Sequence, residues 1–191
     1  PVWSWPWSSG RRCFSERGVR RENAFPHRRP HGRGQDRRGQ QLKRNLPSSV
    51  FLDGDWCWDA DPFQVTPETK TMVLDNICYM LNNFLHCTAY ENVVFSWVMH
   101  DQAILDAILS RLDRKNCRTL CVSLLADAET LRARLEADIA RGLRTPDVIG
   151  RSLDRLPLYA GLSTHKLDTT GKTVPETAAA LRALKPELPA R

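Results

Sequence analysis

The chain predicts an open α/β domain, a parallel sheet with helices on both faces, and three observations carry that prediction. Asn92–Met99 (NVVFSWVM) is a continuous apolar run with the β-branched and aromatic make-up of a buried parallel strand, and Arg118–Leu125 (RTLCVSLL) reads as another buried strand. Strand and helix patterns alternate from about position 49 onward, which implies βαβ crossovers. The chain has 191 residues, 41% of them apolar, enough for one core and one ordinary domain.

Taken in order, the first 41 residues show neither helical nor strand periodicity, and order is expected to begin near Leu42. Ser49–Asp53 (SVFLD) is a short apolar run entering a Gly-containing turn, the mark of a strand. Thr66, Pro67 and Glu68 form a helix start: an N-cap, a proline at the first helical position and an acid in the first turn. Met72, Leu74, Ile77, Met80, Leu81, Phe84 and Leu85 then follow at helical spacing. Asp101–Leu112 reads as a helix, and Ala126–Arg141 as an amphipathic one with Leu131, Leu135 and Ile139 on one side. A further helical piece spans Pro146–Leu156, a short strand Thr164–Asp168, and a last helix Thr173–Leu184 with Pro175 and Glu176 in its first turn.

Charge is divided unevenly. Residues 1–48 hold twelve Lys/Arg against three acids, a balance of +9, so the total of +6 leaves −3 for the rest. The domain is expected to be mildly acidic, and nucleic-acid binding falls to the N-terminal segment alone. No run approaches 18 apolar residues, which argues against a membrane span, and PVWSWPWSSGRRCFSERG lacks the apolar core of a secretory signal. Six scattered cysteines read as reduced thiols of a cytoplasmic protein.

Three constellations bear on chemistry. The turn FLDGDWCWD puts Asp53, Asp55, Trp56 and Trp58 at the carboxyl end of a strand, where open α/β sheets bind ligands. Two carboxylates there suit a hydroxyl proton acceptor or a Mg²⁺-linked group; a solvated Asp-Gly turn is the plain alternative. Trp56 and Trp58 suit the covering of something flat. The segment from Arg132 to Tyr159 carries six arginines, able to clamp phosphates or simply to pair with Glu136, Asp138, Asp147 and Asp154. Cys117 with Cys121, and His86 and His100, lack the partners of a metal site and read as core thiols and helix- or strand-end histidines.

LPSSVFLDGDWCW, TMVLDNICYMLNNFL, VVFSWVMH, LRARLEADI and DVIGRSLDRLPLY with KLDTT stand in an order that resembles the P-loop kinase-like ATPases, the P-loop NTPases related to nucleotide kinases and AAA-type ATPases. The resemblance covers residues 42–191. It implies a three-layer fold of nucleoside-monophosphate-kinase type, phosphoryl transfer from ATP with Mg²⁺, and an unknown small-molecule acceptor. Asp53 and Asp55 would face the acceptor, with Trp56 and Trp58 around it. Arg144 and Arg151, with Arg134, would belong to a lid closing over ATP, and Asp168–Gly171, Thr170 included, would approach the adenine.

One part of the pattern is missing. The family opens with a strand and G-x-x-x-x-G-K-[ST], whose amides and Lys cradle phosphates. No such motif occurs here; Gly171-Lys172-Thr173 has Lys166 where the first glycine belongs. HRRPHGRGQDRRGQQ occupies its place, and read one base out of frame it permits the loop. The shifted codon across Gln35 and Asp36 is ARG, Lys or Arg; across Asp36 and Arg37 it allows Thr; across Arg29–Pro30 and Gly34–Gln35 it allows Gly. Those junctions have the spacing G-x-x-x-x-G-K-T, and shifted codons across Phe25–Arg28 permit an apolar strand. Residues 1–41 are therefore expected to be a basic, disordered or out-of-frame segment, leaving a sheet without its first strand, two inner edges unpaired, and an inactive kinase. The competing reading is a non-catalytic P-loop fold with a basic arm that binds nucleic acid.

Overall fold

A computed structural model describes residues 11–18, 37–115 and 117–184, the first of these segments by its backbone. It contains five strands: β1 (Arg11–Gly18), β2 (Ser49–Asp53), β3 (Asn92–Ser96), β4 (Cys117–Leu125) and β5 (His165–Asp168). Six helices accompany them: α1 (Arg37–Asn45), α2 (Pro67–His86), α3 (Gln102–Arg111), α4 (Ala128–Ala140), α5 (Val148–Arg155) and α6 (Val174–Ala183). The strands form one parallel sheet in the order β2-β3-β1-β4-β5.

Alternation along the strands separates two cores. Leu52, Val93 and Phe95 join the α2 side chains Val73, Ile77, Leu81 and Leu85 and Ile108 of α3 on one face. Phe51, Val94, Leu120, Val122 and Leu124 join Leu42 of α1 and Ala178 and Leu181 of α6 on the other. The period of two puts neighbours Phe51 and Leu52, or Val93 and Val94, on opposite faces, which makes the domain three layers thick. A third, smaller cluster of Leu131, Leu135 and Val148, flanked by Ile139, Ile149, Leu153 and Leu156, joins α4 to α5.

Helix ends follow local chemistry. Thr66 caps α2 by accepting from the Thr69 N–H at 3.1 Å, with Pro67 as its first residue. Asp101 and Asp127 cap α3 and α4 through Ala103 N–H (2.9 Å) and Thr130 N–H (2.6 Å). Thr173 and Glu176 close a capping box at the start of α6.

Two expectations are corrected. The sheet does not lack its first strand: β1 fills the central slot, pairing Arg12–Glu16 with Asn92–Ser96 and Arg11–Gly18 with Cys117–Leu124. Unpaired N–H and C=O groups on both inner edges can be satisfied by any extended backbone, whatever its side-chain period. Order begins before Leu42, because α1 starts at Arg37. Its only apolar residue is Leu42, so tertiary contact sets it: Gly39 lies buried where an added Cβ would collide with the Phe51 ring. Along α2, Met72 is 42% exposed. Val73, Ile77, Leu81 and Leu85 repeat at i+4 and set the inner row, and Met72 stands one residue out of phase with it. The out-of-frame loop at Arg29–Asp36 lies outside the described residues.

Candidate functional site

The carboxyl edge of the sheet carries two turns, one at each flank. After β2 the chain enters a short 3₁₀ turn, Gly54–Cys57. Asp53 caps it, its Oδ1 accepting from the Asp55 N–H at 3.0 Å. Asp53 is 5% exposed and aligned in register with Ser96 at the end of β3, also buried. The acid is therefore enclosed at the sheet edge, unlike the solvated acid of a plain Asp-Gly turn. Asp55 is half-buried one turn on. Gly54 is obligatory by contact: a Cβ there would strike the Trp97 side chain.

The two tryptophans of this turn divide. Trp56 is 44% exposed and meets Phe51 edge-on, with ring centroids 5.5 Å apart. Trp58 turns inward, packing on the α2-side core and on Phe63 at 4.5 Å. Trp56 is thus the more exposed of the two rings, while Trp58 is packed into the base of the turn. Between them Cys57 is buried, and its thiol is pushed up to about 11 by that burial first and then by the charges of Asp53 and Asp55. A thiol so raised is neutral near pH 7 and serves as a packing group.

The second turn follows β5. Lys172 N–H donates to Thr169 O at 3.0 Å, closing a four-residue turn with Gly171 at φ +68°. Buried Thr169 is tied to β4 twice, its N–H and its hydroxyl both donating to Leu125 O at 2.7 and 2.8 Å. The Thr170 N–H donates to Asp168 at 2.8 Å, and the Thr170 hydroxyl accepts from the Asp127 N–H at 3.1 Å. Hydrogen bonds from Thr170, ahead of the charges of Lys172 and Arg134, hold the Asp168 carboxyl below the usual carboxylate range. Arg134 is thus brought to the Asp168–Thr170 stretch, more than thirty positions away in sequence.

Arg141, Arg144 and Arg151 form ion pairs within the α4–α5 hairpin. Arg144 donates to Asp138 at 3.2 Å with both side chains 6% exposed, and Arg141 reaches the other Asp138 oxygen at 3.1 Å. Arg151 pairs with Asp147 one helical turn away. These are the pairings of the plain alternative, and they bolt the α4–α5 connection. Asp138 was legible only as one acid among several; the fold buries it to 4% exposure between Arg141 and Arg144. Trp97 was missed, and Thr169 was named only within the Asp168–Gly171 stretch, since nothing in their neighbourhood in sequence announces the Gly54 contact or the Arg134 contact. His86 pairs with Asp113 at 3.1 Å on the surface. Among the described residues no three His, Cys, Asp or Glu cluster to hold a metal ion, and no helix is long and apolar enough to cross a membrane.

With this strand order and these layers the fold is a three-layer α/β one around a parallel sheet, and it matches the fold of solved kinase-like proteins. It is similar to the tunicamycin resistance protein of Deinococcus radiodurans (TM-score 0.64, 18% identity, 93% of this chain and 99% of that one). It is also similar to a gluconokinase of Sinorhizobium meliloti 1021 (TM-score 0.57, 17% identity, 90% and 91% covered). A sugar kinase of Janibacter sp. HTCC2649 matches at TM-score 0.57 and 11% identity over 89% of this chain and 91% of that one. At such identities the likeness is one of fold. No protein-family model and no curated protein matches the sequence.

The residues present do not supply what the phosphates of a Mg·triphosphate would need: the sequence has no G-x-x-x-x-G-K-[ST] loop, and Arg144 donates to buried Asp138.

Proposed function

We propose that this chain is the scaffold of a kinase-like phosphotransferase for Mg·ATP and a small acceptor bearing a hydroxyl or phosphate, and that it is inactive as its sequence reads. The acceptor side is the Asp53–Trp58 turn: Asp53 as proton acceptor or Mg²⁺-linked group, Asp55 beside it, Trp56 as the exposed ring. The nucleoside side is Arg134 with Asp168 and Thr170. One observation carries this reading. The two turns leave the same edge of one parallel sheet from β2 and β5, four strand spacings or about 19 Å apart, with the ends of β3, β1 and β4 between them. Arg144 and Arg151 enter catalysis in this reading only by leaving Asp138 and Asp147.

The missing cradle is assigned to the reading frame. In the fold the loop lies between the central strand and α1, and α1 begins at Arg37, directly after the Gln35–Asp36 junctions that would encode Lys-Thr. The central strand RRCFSERG carries four charged residues of eight, where a strand flanked on both sides calls for an apolar run. From Gly18 to Arg37 the connection has eighteen residues, against the eight of the loop motif. The coding DNA across Asn23–Leu42 decides the matter, together with ADP titration of the chain as given and of a version carrying the shifted reading over residues 24–36. The shifted version is expected to bind ADP on the order of 100-fold more tightly, because the amide nest and Lys are restored. Equal, negligible binding by both would remove the phosphotransferase reading.

A further inference from the structure

Arg134 of α4 reaches out of its own helical hairpin to the turn after β5. Its Nη1 donates to Thr169 Oγ1 at 3.0 Å, and its Nη2 donates to Thr169 O at 2.6 Å and Lys172 O at 3.1 Å. Those carbonyls are the first and last of the Thr169–Lys172 turn, so a single planar guanidinium braces both ends of it. A guanidinium presents donors in a fixed fork, which a Lys ammonium cannot reproduce across three acceptors. The brace has an anchor on each side. Thr169 is buried and fastened to β4 through Leu125 O, and α4 rises from Asp127, whose own N–H holds the Thr170 hydroxyl.

We infer that Arg134 is a positioning residue for the nucleoside site: rather than clamping phosphate, it holds the backbone of the Asp168–Lys172 turn in the shape that receives a base and couples that turn to α4. This inference rests on the nucleoside side of the function proposed above. It gives Arg134 a role different from that of a mobile lid arginine, whose donors would have to be available to a triphosphate. It also makes a base bound at β5 felt by the α4–α5 hairpin, because the same side chain belongs to both.

The test uses the full chain and adenosine as the probe, followed by ligand-detected NMR, with amide hydrogen exchange read in parallel. Arg134→Lys and Arg134→Ala are each expected to weaken adenosine binding at least tenfold and to speed exchange of the Lys172 amide by a similar factor. Exchange in α2 and β3 should stay unchanged, and Arg132→Lys on the same helix should match the unaltered protein. A merely structural role would lower the melting temperature of Arg134→Lys while leaving adenosine affinity intact well below it. That result, or unaltered Lys172 exchange, overturns the inference and leaves the phosphotransferase reading standing. Failure of the unaltered chain to bind adenosine removes the nucleoside assignment itself, and the inference with it.

Discussion

The turns at the two flanks of the sheet edge do comparable jobs by opposite means. The turn after β2 is held by packing: Trp97 against Gly54, Phe51 against Trp56, Phe63 against Trp58, and Cys57 buried between the two tryptophans. The turn after β5 is held by polar groups: Arg134 and Thr170 around it, and Thr169 pinned to Leu125 O. Packing is non-directional and indifferent to pH, while a hydrogen-bonded turn fails when one donor or charge is lost. The first turn is therefore expected to share the fate of the main core, and the second to respond to single polar substitutions and to acid.

The largest effect should come from below the packed turn. Asn76 of α2 donates to Cys57 O at 3.1 Å, and Ile77 beside it is fully buried in the same core. Ile77→Ala is expected to cost about 3 kcal/mol in urea unfolding and to loosen the Trp56 environment with it. A change in Trp56 without a change in global stability would show the turn to be independent of the core. Gly54→Ala should cost about 1–3 kcal/mol by overpacking against Trp97, with a changed near-ultraviolet circular dichroism as its signature. An unchanged spectrum would mean that Trp97 has room to yield.

On the polar side the effects are smaller. Thr173→Ala removes the cap of α6 next to the turn and should lower stability by about 1 kcal/mol. Asp168 provides the pH test. Its folded pKa is depressed, first by Thr170, so its contribution is present above the unfolded carboxylate value of about 3.9 and lost as pH falls through the folded value. The melting-temperature difference between the unaltered chain and Asp168→Asn should thus be full at neutral pH and shrink in acid. A constant difference from neutral to strongly acidic pH would remove the charge from the account of this turn.

Legibility followed the range of the interaction. Helix α2 was readable because Thr66, Pro67 and Glu68 act within one turn, and β3 because NVVFS is apolar throughout. Helix α1 was not, because RRGQQLKRN has one apolar residue and depends on Phe51 and α6 to exist. The Asp53 turn could be located from its place after an apolar strand, yet the division of labour between Trp56 and Trp58 could not. Arg144 looked equivalent to Arg134 in sequence; one closes on Asp138 and the other reaches a turn some thirty-five residues away.

By itself the sequence determined what nearest neighbours decide: the alternation of strands and helices, the caps, the split of charge at residue 48, and the absence of a G-x-x-x-x-G-K-[ST] motif. Tertiary structure alone decided which segment fills the central slot, which tryptophan faces outward, and which arginine is spent on which acceptor. The physical reason is common to all three. Backbone pairing, ring packing and guanidinium forks are satisfied by whatever partner the fold brings within a few ångströms, and distance along the chain does not encode that partner.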